Sequence, residues 1–234
     1  MANAVWITGA NSGIGRAVAL YFARKGETVI ASARREEELK KLLKEENVSE
    51  ENLIIVPLDV TDPSQITHAF NNLKENYQIS TLINNAGISS FQPALVDKTE
   101  EIKKIVDTNL LGSINMIRTV LPDMIERRNG KIISIISVVT KKIFKNSSAY
   151  SASKAGLEAY LNVLREEIRE HNIRVMNIYP GATKTPIWPN KALEKFATLM
   201  MKPDKIAEII YDAYMLQDNV VPEEIMLRPV SGDL

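Results

Sequence analysis

The chain has 234 residues, 45% of which are hydrophobic, and its 29 lysines and arginines balance its 29 aspartates and glutamates. This length suits one α/β domain with a large buried core and is too short for two domains of ordinary size. The zero formal net charge argues against a nucleic-acid surface or a polybasic membrane surface. Because cysteine is absent, the sequence excludes disulfides, thiol nucleophiles and cysteine metal sites.

Other features of the composition predict a soluble cytoplasmic protein. The two histidines, His68 and His171, lie among charged or polar neighbours, which is more typical of solvated helix positions than of metal ligands. No apolar run is long enough to span a bilayer, and the N-terminus enters a strand-like segment at once, with no basic n-region or cleavage site, so we expect no leader peptide. We therefore expect no metal, nucleic-acid or membrane partner.

Apolar, β-rich segments alternate with amphipathic helical segments along the chain. The predicted strands are Ala4–Thr8, Thr28–Ser32, Leu53–Pro57, Thr81–Asn84, Lys131–Ser137, Arg174–Tyr179 and Glu224–Leu227. The predicted helices are Gly13–Lys25, Glu36–Glu46, Pro63–Glu75, Glu100–Arg127, Ala149–Glu170 and Pro203–Leu216. Uniformly apolar strands that alternate with helices indicate a mostly parallel sheet covered on both faces, within a single α/β domain of residues 1–234.

Two segments allow more than one interpretation. The long predicted helix near residues 100–127 carries an apolar stripe that suits core packing, and a wider apolar face could also meet a partner subunit. Residues 182–202 show weak periodicity around Pro186, Trp188 and Pro189. They predict either a substrate loop or a short helix packed on the surface.

A glycine-rich turn, TGANSGIG from Thr8 to Gly15, follows the first strand and precedes the first helix. Such glycines permit a tight bend and a close approach of backbone to a pyrophosphate, while the helix N-terminus offers N–H groups to phosphates. Glycine spacing alone is a weak signal, but its position after the first strand favours a dinucleotide site. The expected nucleotide contacts here are Gly9, Asn11, Ser12, Gly13, Ile14 and Gly15.

The end of the second strand indicates which dinucleotide is bound. An NAD site usually has an acidic residue there for the ribose hydroxyls, whereas this chain has Ala33 followed by Arg34 and Arg35. Guanidinium groups can hold a 2′-phosphate, and no carboxylate stands at Ala33 to repel one, so the pattern favours NADP. Alternatively, the arginines only begin a solvated helix and pair with Glu36–Glu38.

Two further strand ends carry residues that a nucleotide could contact. Asp59, followed by Val60, closes the third strand, and its carboxylate could accept from the adenine amino group or simply cap the next turn. Asn85, Ala86 and Gly87 end the fourth strand, where ligands bind in open α/β sheets. These residues either leave room for adenosine or serve as plain turn formers.

The most informative pair is Tyr150 and Lys154, four residues apart in the run YSASK, with Ser137 thirteen residues before the tyrosine. A phenol is a poor acid at neutral pH, with an unperturbed pKa of about 10. Helical spacing of four places the ammonium on the same face as the phenol, where it is expected to lower the pKa of Tyr150. Tyr150 is therefore a candidate general acid or base for work on a hydroxyl or carbonyl carbon.

Together these motifs resemble the short-chain dehydrogenase/reductase family over essentially the whole chain. The matching segments are TGANSGIG at 8–15, LDV at 58–60, NNAG at 84–87, Asn109 in DTNLLG, IISVV around Ser137, YSASK at 150–154 and PGATKT at 180–185. Each motif alone is a modest signal, but their order and spacing are specific. The resemblance implies a doubly wound, seven-stranded parallel sheet of the Rossmann type with strand order 3-2-1-4-5-6-7.

The resemblance also implies roles for four residues. Ser137 would hydrogen-bond the substrate oxygen, and Tyr150 would act as the acid in reduction and the base in oxidation. Lys154 would lower the pKa of the tyrosine and hold the nicotinamide ribose, while the backbone carbonyl of Asn109 would hold a water that links the lysine to solvent. Ser134 competes with Ser137 but falls in mid-strand, sixteen residues before Tyr150, so Ser137 is preferred.

The remaining motif and the two longest helices carry further implications of the resemblance. Pro180 and Gly181 match the family's PG motif, and Thr183 and Thr185 are expected near the carboxamide and the pyrophosphate. Family members commonly form homodimers or homotetramers through two long helices, which correspond here to those near residues 100–127 and 149–170.

The implied activity is hydride transfer between NADP(H) and a small or medium carbonyl or secondary alcohol substrate, usually as a reduction. One alternative is an NAD-linked alcohol dehydrogenase of the same fold, and another is a non-catalytic regulatory protein that senses NADP(H). Candidate pocket residues, each of which could instead anchor a loop, suggest a partly apolar substrate: Ser89, Phe91, Val139, Phe144, Tyr179, Ile187 and Trp188.

Overall fold

A seven-stranded parallel sheet forms the centre of the protein in the computed structural model, which describes residues 1–45, 47–216 and 220–234. Its strands are β1 (Ala2–Thr8), β2 (Thr28–Ala33), β3 (Leu53–Pro57), β4 (Tyr77–Asn84), β5 (Gly130–Ile135), β6 (Ile173–Pro180) and β7 (Glu224–Leu227). Every neighbouring pair is parallel, in the spatial order β3-β2-β1-β4-β5-β6-β7. The predicted fold class and strand order are confirmed.

Helices cover both faces of this sheet. Within the described residues the α-helices are α1 (Gly13–Arg24), α2 (Glu36–Lys40), α3 (Pro63–Leu73), α4 (Thr99–Val106), α5 (Gly112–Arg127), α6 (Ser148–Ile168), α7 (Asn190–Phe196) and α8 (Pro203–Met215). Buried side chains of α1, α2 and α8 form one hydrophobic core with the sheet, and those of α3, α5 and α6 form a second core on the opposite face.

Alternating side chains of the central strand β1 explain the two cores. Ala4 and Trp6 belong to one core, Val5 and Ile7 belong to the other, and all four are at most 1% exposed. With helices on both sides, every position of such a strand is buried, which is why the strands are continuous apolar runs in the sequence. Removal of this apolar area from water is the main term that stabilises the fold.

One strand ends earlier than the sequence predicts. β5 ends at Ile135, and Ser137 lies just beyond it, before a 3₁₀ turn at Val138–Thr140. The Ser137 hydroxyl accepts a hydrogen bond from the backbone N–H of Val139 at 3.3 Å. Serine side chains commonly satisfy the first N–H groups of a turn in this way, at the expense of extended structure. Ser137 therefore belongs to the connection after β5 rather than to the strand.

The structure also gives the outcome for two other predicted segments. The helix predicted for Glu36–Glu46 ends as an α-helix at Lys40 and continues as a 3₁₀ turn, Lys41–Lys44, whereas Glu46 itself lies outside the described residues. Residues 182–202 contain the short helix α7, which was one of the two alternatives for this segment. Among the helices that the structure describes, none is both long enough and apolar enough to cross a membrane.

The helix predicted for residues 100–127 is interrupted in its middle. A π-helical turn, Asp107–Leu111, joins α4 to α5, and such turns are frequent at functional sites. Within it, the fully buried Asn109 accepts at Oδ1 from the backbone N–H of Ile88 at 2.9 Å. Its Nδ2 donates to the Ile88 carbonyl at 2.9 Å and to Ser153 Oγ at 3.0 Å. Asn109 therefore ties the loop after β4 to helix α6.

Replacing Asn109 by alanine is expected to lower the free energy of unfolding by about 3 kcal/mol, because backbone groups of Ile88 and the Ser153 hydroxyl lose a buried partner. Chemical denaturation followed by circular dichroism measures this change. Asn115→Ala is the control, because Asn115 is half-buried on α5 and its carbonyl, which accepts from Thr119, is kept. A loss for Asn109→Ala no larger than for the control would contradict the tie.

Candidate active site

A cleft of about 740 Å³ opens at the carboxyl ends of the strands, where the strand order reverses between β1 and β4. It is lined by most of the residues that the sequence assigns to a nucleotide or to the reaction: Gly9, Asn11, Ser12, Gly13, Ile14, Arg34, Arg35, Asp59, Val60, Asn85, Ala86, Gly87, Ser137, Tyr150, Lys154, Pro180, Gly181, Thr183 and Thr185. The other two, Gly15 and Asn109, lie behind this lining.

The turn between β1 and α1 requires glycine for two different reasons. Gly9 and Gly13 adopt left-handed backbone angles, with φ of +65° and +56°. At Gly15 the reason is space, because a Cβ atom there would collide with the Asn85 side chain and the Gly9 carbonyl. The absence of side chains at these positions lets the backbone bend tightly at the N-terminus of α1, and this geometry fits a bound pyrophosphate.

Thr8 and Asn85 fasten this turn to the end of β4. The Thr8 hydroxyl accepts from the backbone N–H of Asn85 at 3.0 Å and of Ala86 at 3.1 Å. In return, the Asn85 side-chain amide donates to the carbonyl of Thr8 at 2.9 Å and of Gly9 at 3.2 Å. The Asn85 side chain therefore serves as a turn former, and it fixes residues 85–87 relative to the glycine-rich turn.

The residues at the end of β3 are held mainly by local bonds. Asp59 Oδ1 accepts from the backbone N–H and from the hydroxyl of Thr61, both at 2.9 Å, so this carboxylate caps the turn after β3. Arg34 Nη1 lies 3.9 Å from Asp59 Oδ2, and the Arg34 side chain is 64% exposed. So long and exposed an ion pair constrains the arginine weakly.

The two arginines after β2 are both exposed at the edge of the cleft. The nearby Glu36–Glu38 form ion pairs with Lys40 and Lys41, and Arg35 acts on Glu38 only as a more distant charge. The alternative in which the arginines begin a solvated helix and pair with Glu36–Glu38 therefore stays open. Arg34 and Arg35 present guanidinium groups to the cleft, where such groups can bind a phosphate in bidentate fashion.

Ser137 and Tyr150 meet in the cleft. The Ser137 side chain lies close enough to the Tyr150 hydroxyl to act on the pKa of Tyr150, which it lowers, and Ser137 itself is 8% exposed. Ser134, the competing serine, is fully buried within β5 and is not among the residues that line the cleft. The choice of Ser137 over Ser134 agrees with this geometry, because only Ser137 stands where a ligand of the cleft can reach a hydroxyl.

Lys154 is buried beside them, with 3% of its surface exposed. Its ammonium donates to the carbonyl of Ile135, the last residue of β5, at 2.6 Å. Removal of the charge from water lowers the pKa of Lys154 to about 8. The group is therefore still mostly protonated at neutral pH and loses its charge in mildly alkaline solution.

The pKa of Tyr150 differs in direction from the expectation. Burial of the phenol raises the pKa of Tyr150 to about 12, and the Ser137 side chain opposes this change without overcoming it. The Lys154 ammonium, which donates to the Ile135 carbonyl, contributes no lowering of this pKa. The expected lowering by the lysine is thus wrong for the protein alone, and Tyr150 is a neutral phenol over the physiological pH range.

Gly87 joins this group to Asn109. A Cβ atom at Gly87 would lie 3.4 Å from Asn109 Oδ1 and 3.6 Å from Lys154 Nζ, so the missing side chain leaves space between these polar groups. The backbone carbonyl of Asn109, to which the resemblance assigns a water, accepts from Ser113 Oγ at 3.0 Å. Asn109, Ser137, Tyr150 and Lys154 therefore form one continuous polar region of the protein.

Beyond these groups, one end of the cleft is apolar. Six of the seven candidate pocket residues line it: Ser89, Phe91, Val139, Phe144, Ile187 and Trp188. The seventh, Tyr179, was wrongly placed by the sequence analysis. It is fully buried, and its hydroxyl shares its one proton between Glu158 Oε1 at 3.1 Å and Glu224 Oε1 at 3.0 Å, away from the cleft.

Asp233 and Leu234 also line the cleft, although neither is among the site residues predicted from the sequence. The Asp233 side chain is 3% exposed and lies 3.1 Å from Lys142 and 2.5 Å from Arg228. No local pattern marks this segment, because its place depends on the path of the chain after β7. The one available signal in the sequence is Asp233, an acidic residue that follows Ser231 and Gly232.

Comparisons with known proteins agree with this arrangement. The family model for short chain dehydrogenases matches residues 3–195. The sepiapterin reductase of Chlorobaculum tepidum is 35% identical over 243 residues, covering 100% of this chain and 99% of that protein. The 3-oxoacyl-[acyl-carrier-protein] reductase FabG of Thermotoga maritima is 36% identical over 213 residues, or 87% of each chain.

Among solved structures, the closed form of serine dehydrogenase complexed with NADP+ superposes with a TM-score of 0.91 at 30% identity, covering 99% of this chain and 96% of that one. A single-residue variant of the actinorhodin polyketide ketoreductase with NADPH gives a TM-score of 0.86 at 26% identity, covering 96% and 95%. With a family match across most of its length and full-length relatives above 30% identity, the chain belongs to the short-chain dehydrogenase/reductase family.

Proposed function

We propose that the protein is an NADP(H)-dependent oxidoreductase that transfers a hydride between the nicotinamide and a small or medium carbonyl or secondary alcohol substrate, usually as a reductase. The observation that carries this proposal is that Ser137, Tyr150 and the buried Lys154 line the same cleft as the glycine-rich turn. When bound, the nicotinamide supplies or accepts the hydride; the protein supplies orientation and electrostatics.

The protein's own contribution to a reduction is to hold and protonate the carbonyl oxygen. The hydroxyls of Ser137 and Tyr150 donate to that oxygen, which stabilises the negative charge that develops on it. Tyr150 then gives up its proton as general acid. Its raised pKa, about 12, keeps the phenol protonated and ready to donate at neutral pH.

Lys154 completes this chemistry through its charge. Its ammonium lies one helical turn from Tyr150 but does not lower the pKa of Tyr150 in the protein alone. We therefore assign it a role in the complex with cofactor and substrate, where its positive charge stabilises the phenolate that remains after proton transfer. Because the pKa of Lys154 is about 8, this stabilisation is present at neutral pH. Asn109 has a positioning role, because its side chain hydrogen-bonds the loop at Ile88 and helix α6 at Ser153.

The preference for NADP rests on the end of β2. Arg34 and Arg35 are exposed at the cleft, and no carboxylate stands at Ala33, which ends the strand. The structures of serine dehydrogenase and of the actinorhodin ketoreductase, which contain NADP+ and NADPH, support the same assignment. An NAD-linked alcohol dehydrogenase of this fold is the alternative, because Arg34 is held only weakly by Asp59.

Two further parts of the proposal concern the oligomeric state and the cellular location. We propose homodimers or homotetramers formed through the helices near residues 100–127 and 149–170, and a cytoplasmic location. Leu111 and Val163, which are 47% and 60% exposed on these segments, support the first part as apolar positions that a second copy can cover. A non-catalytic sensor of NADP(H) is disfavoured, because Asn109, Ser137, Tyr150 and Lys154 are all present.

Tyr150→Phe is expected to reduce kcat for carbonyl reduction by at least a hundredfold, because the phenyl ring cannot donate a proton. NADPH consumption with a panel of aldehydes and ketones measures the rate, and NADPH binding is expected to be retained. Tyr160→Phe, a half-buried tyrosine on the same helix α6, is the matched control and should keep its activity. An active Tyr150→Phe protein would refute the acid role.

Arg34→Ala is expected to raise the Michaelis constant for NADPH about tenfold and that for NADH less than twofold, because only NADPH carries the 2′-phosphate. Initial rates with both cofactors at saturating substrate measure the two constants. Lys44→Ala removes an exposed charge outside the cleft and controls for long-range electrostatics. Equal effects of Arg34→Ala on the two cofactors would favour the NAD-linked alternative.

The rate of reduction is expected to fall as the pH rises through about 8. Below this value Lys154 is protonated and stabilises the phenolate, whereas above it the amine is neutral and the stabilisation is lost. The pH profile of kcat/KM between pH 6 and 10, in buffers of constant ionic strength, reports this group. A rate that is constant or increasing across that range would show that the charge of Lys154 does not act in the reaction.

A further inference from the structure

Two aromatic rings from different loops stack across the cleft. The rings of Phe91 and Trp188 have centroids 5.0 Å apart and an interplanar angle of 12°. Phe91 follows β4 and Trp188 follows β6, and both side chains are half-buried and line the cleft. We name this pair, Phe91–Trp188, the aromatic bridge.

The topology of the sheet places the aromatic bridge over the reaction centre. β5 lies between β4 and β6, and Ser137 belongs to the connection that leaves its carboxyl end. A contact between the loops after β4 and β6 must therefore cross above the end of β5. The bridge thus forms a wall of the cleft that Ser137 and Tyr150 also line.

The tryptophan is also fixed in orientation. Its indole Nε1 donates to the carbonyl of Thr183 at 3.0 Å, and Thr183 itself is 4% exposed. Satisfaction of this polar group leaves the rest of the indole as apolar surface. The wall therefore has a fixed plane, whereas a side chain held only by apolar contacts could rotate.

The spacing within the aromatic bridge determines how a substrate can use it. A third ring between Phe91 and Trp188 would need two stacking distances of about 3.5 Å each, more than the 5.0 Å that separates the centroids. A ligand consequently cannot insert between the rings. It packs against the side of the bridge that faces the cleft, where Val139, Phe144 and Ile187 add further apolar surface.

The geometry points to a specificity role that rests on the proposed function and narrows its substrate class. The aromatic bridge selects carbonyl compounds whose carbonyl is attached to an aromatic ring, because such a ring can pack against the bridge edge-to-face or in an offset stack. A saturated ring of the same size is thicker and offers no π-face. Aromatic contacts of this kind contribute beyond the area that they bury, by an amount equivalent to roughly a threefold to tenfold change in binding.

A matched pair of substrates tests this role. Benzaldehyde and cyclohexanecarbaldehyde have the same carbon skeleton but differ in planarity, and kcat/KM for each is measured with NADPH. The intrinsic reactivities of the two aldehydes cancel when the ratio of their kcat/KM values is compared between wild type and variant. Phe91→Leu and Trp188→Leu are each expected to lower the benzaldehyde preference fivefold or more, with the Michaelis constant for NADPH within twofold of wild type.

Phe196→Leu is the matched control, because Phe196 is a half-buried aromatic residue of the same 182–202 segment that does not line the cleft. It is expected to keep the wild-type ratio. An unchanged ratio in both bridge variants would overturn the role. An equal fall in Phe196→Leu would also overturn it, because the effect would then come from the segment as a whole.

A binding measurement decides the question even if neither aldehyde is turned over, a result that would count against the proposed function alone. The protein has two tryptophans, and Trp6 is fully buried with its Nε1 bonded to Ser32. Titration of the NADP+-loaded protein with benzamide is expected to quench Trp188 emission, with tighter binding than cyclohexanecarboxamide and no quenching in Trp188→Leu. Equal affinity for the two amides would overturn the role.

Discussion

The buried ammonium of Lys154 is the constraint on which the rest of the site depends. An uncompensated charge taken out of water costs several kcal/mol, so it must find a hydrogen-bond acceptor inside the protein. The acceptor is the carbonyl of Ile135 at 2.6 Å. The next residue, Ile136, donates its N–H to Ile178 of β6, so the Ile135 carbonyl points to the other side, towards β4. There the β4–β5 ladder has already ended, at Asn84 and Ser134.

This acceptor exists only because the chain leaves the sheet where it does. Had β5 continued to Ser137 with a partner on the β4 side, the Ile135 carbonyl would have been occupied by the ladder. The early end of the strand therefore performs two tasks. It provides a carbonyl for the ammonium of Lys154, and it moves Ser137 into a turn from which its hydroxyl reaches Tyr150.

The parts of the molecule that the sequence predicts well are those set by local chemistry. The glycine-rich turn, the strands and the positions of Tyr150 and Lys154 all follow from residue types at short spacing, and the strand order followed from the family resemblance. The misplaced features depend on neighbours that are distant in the chain. In the π turn, the Asn109 side chain finds its hydrogen-bond partners at Ile88 and Ser153, which are distant in the sequence. The raised pKa of Tyr150 results from burial, which a local sequence motif does not show.

Tyr179 shows the same limit and also explains how the reacting groups are held. Its hydroxyl bonds Glu158 on α6 and Glu224 on β7, and Lys141, just after the turn that carries Ser137, bonds the same two carboxylates at 2.6 and 3.5 Å. Lys141 also lies 4.6 Å above the Tyr179 ring. The sequence pattern places Tyr179 at the end of β6, near the cleft. It does not show that the hydroxyl points away from the cleft and bonds to the carboxylates of Glu158 and Glu224.

Different residues therefore hold the reacting groups and line the rest of the cleft. The network of Lys141, Glu158, Tyr179 and Glu224 joins the turn after β5 to helix α6, and thereby sets the spacing of Ser137 and Tyr150 from outside the cleft. Contacts of this kind are stronger at Glu158, whose side chain is 13% exposed, than at Glu224, whose side chain is 46% exposed. This network lies outside the cleft and holds Ser137 and Tyr150 in place. The loops that line the other end of the cleft, including those with Phe91 and Trp188, can therefore change conformation without moving the two hydroxyls.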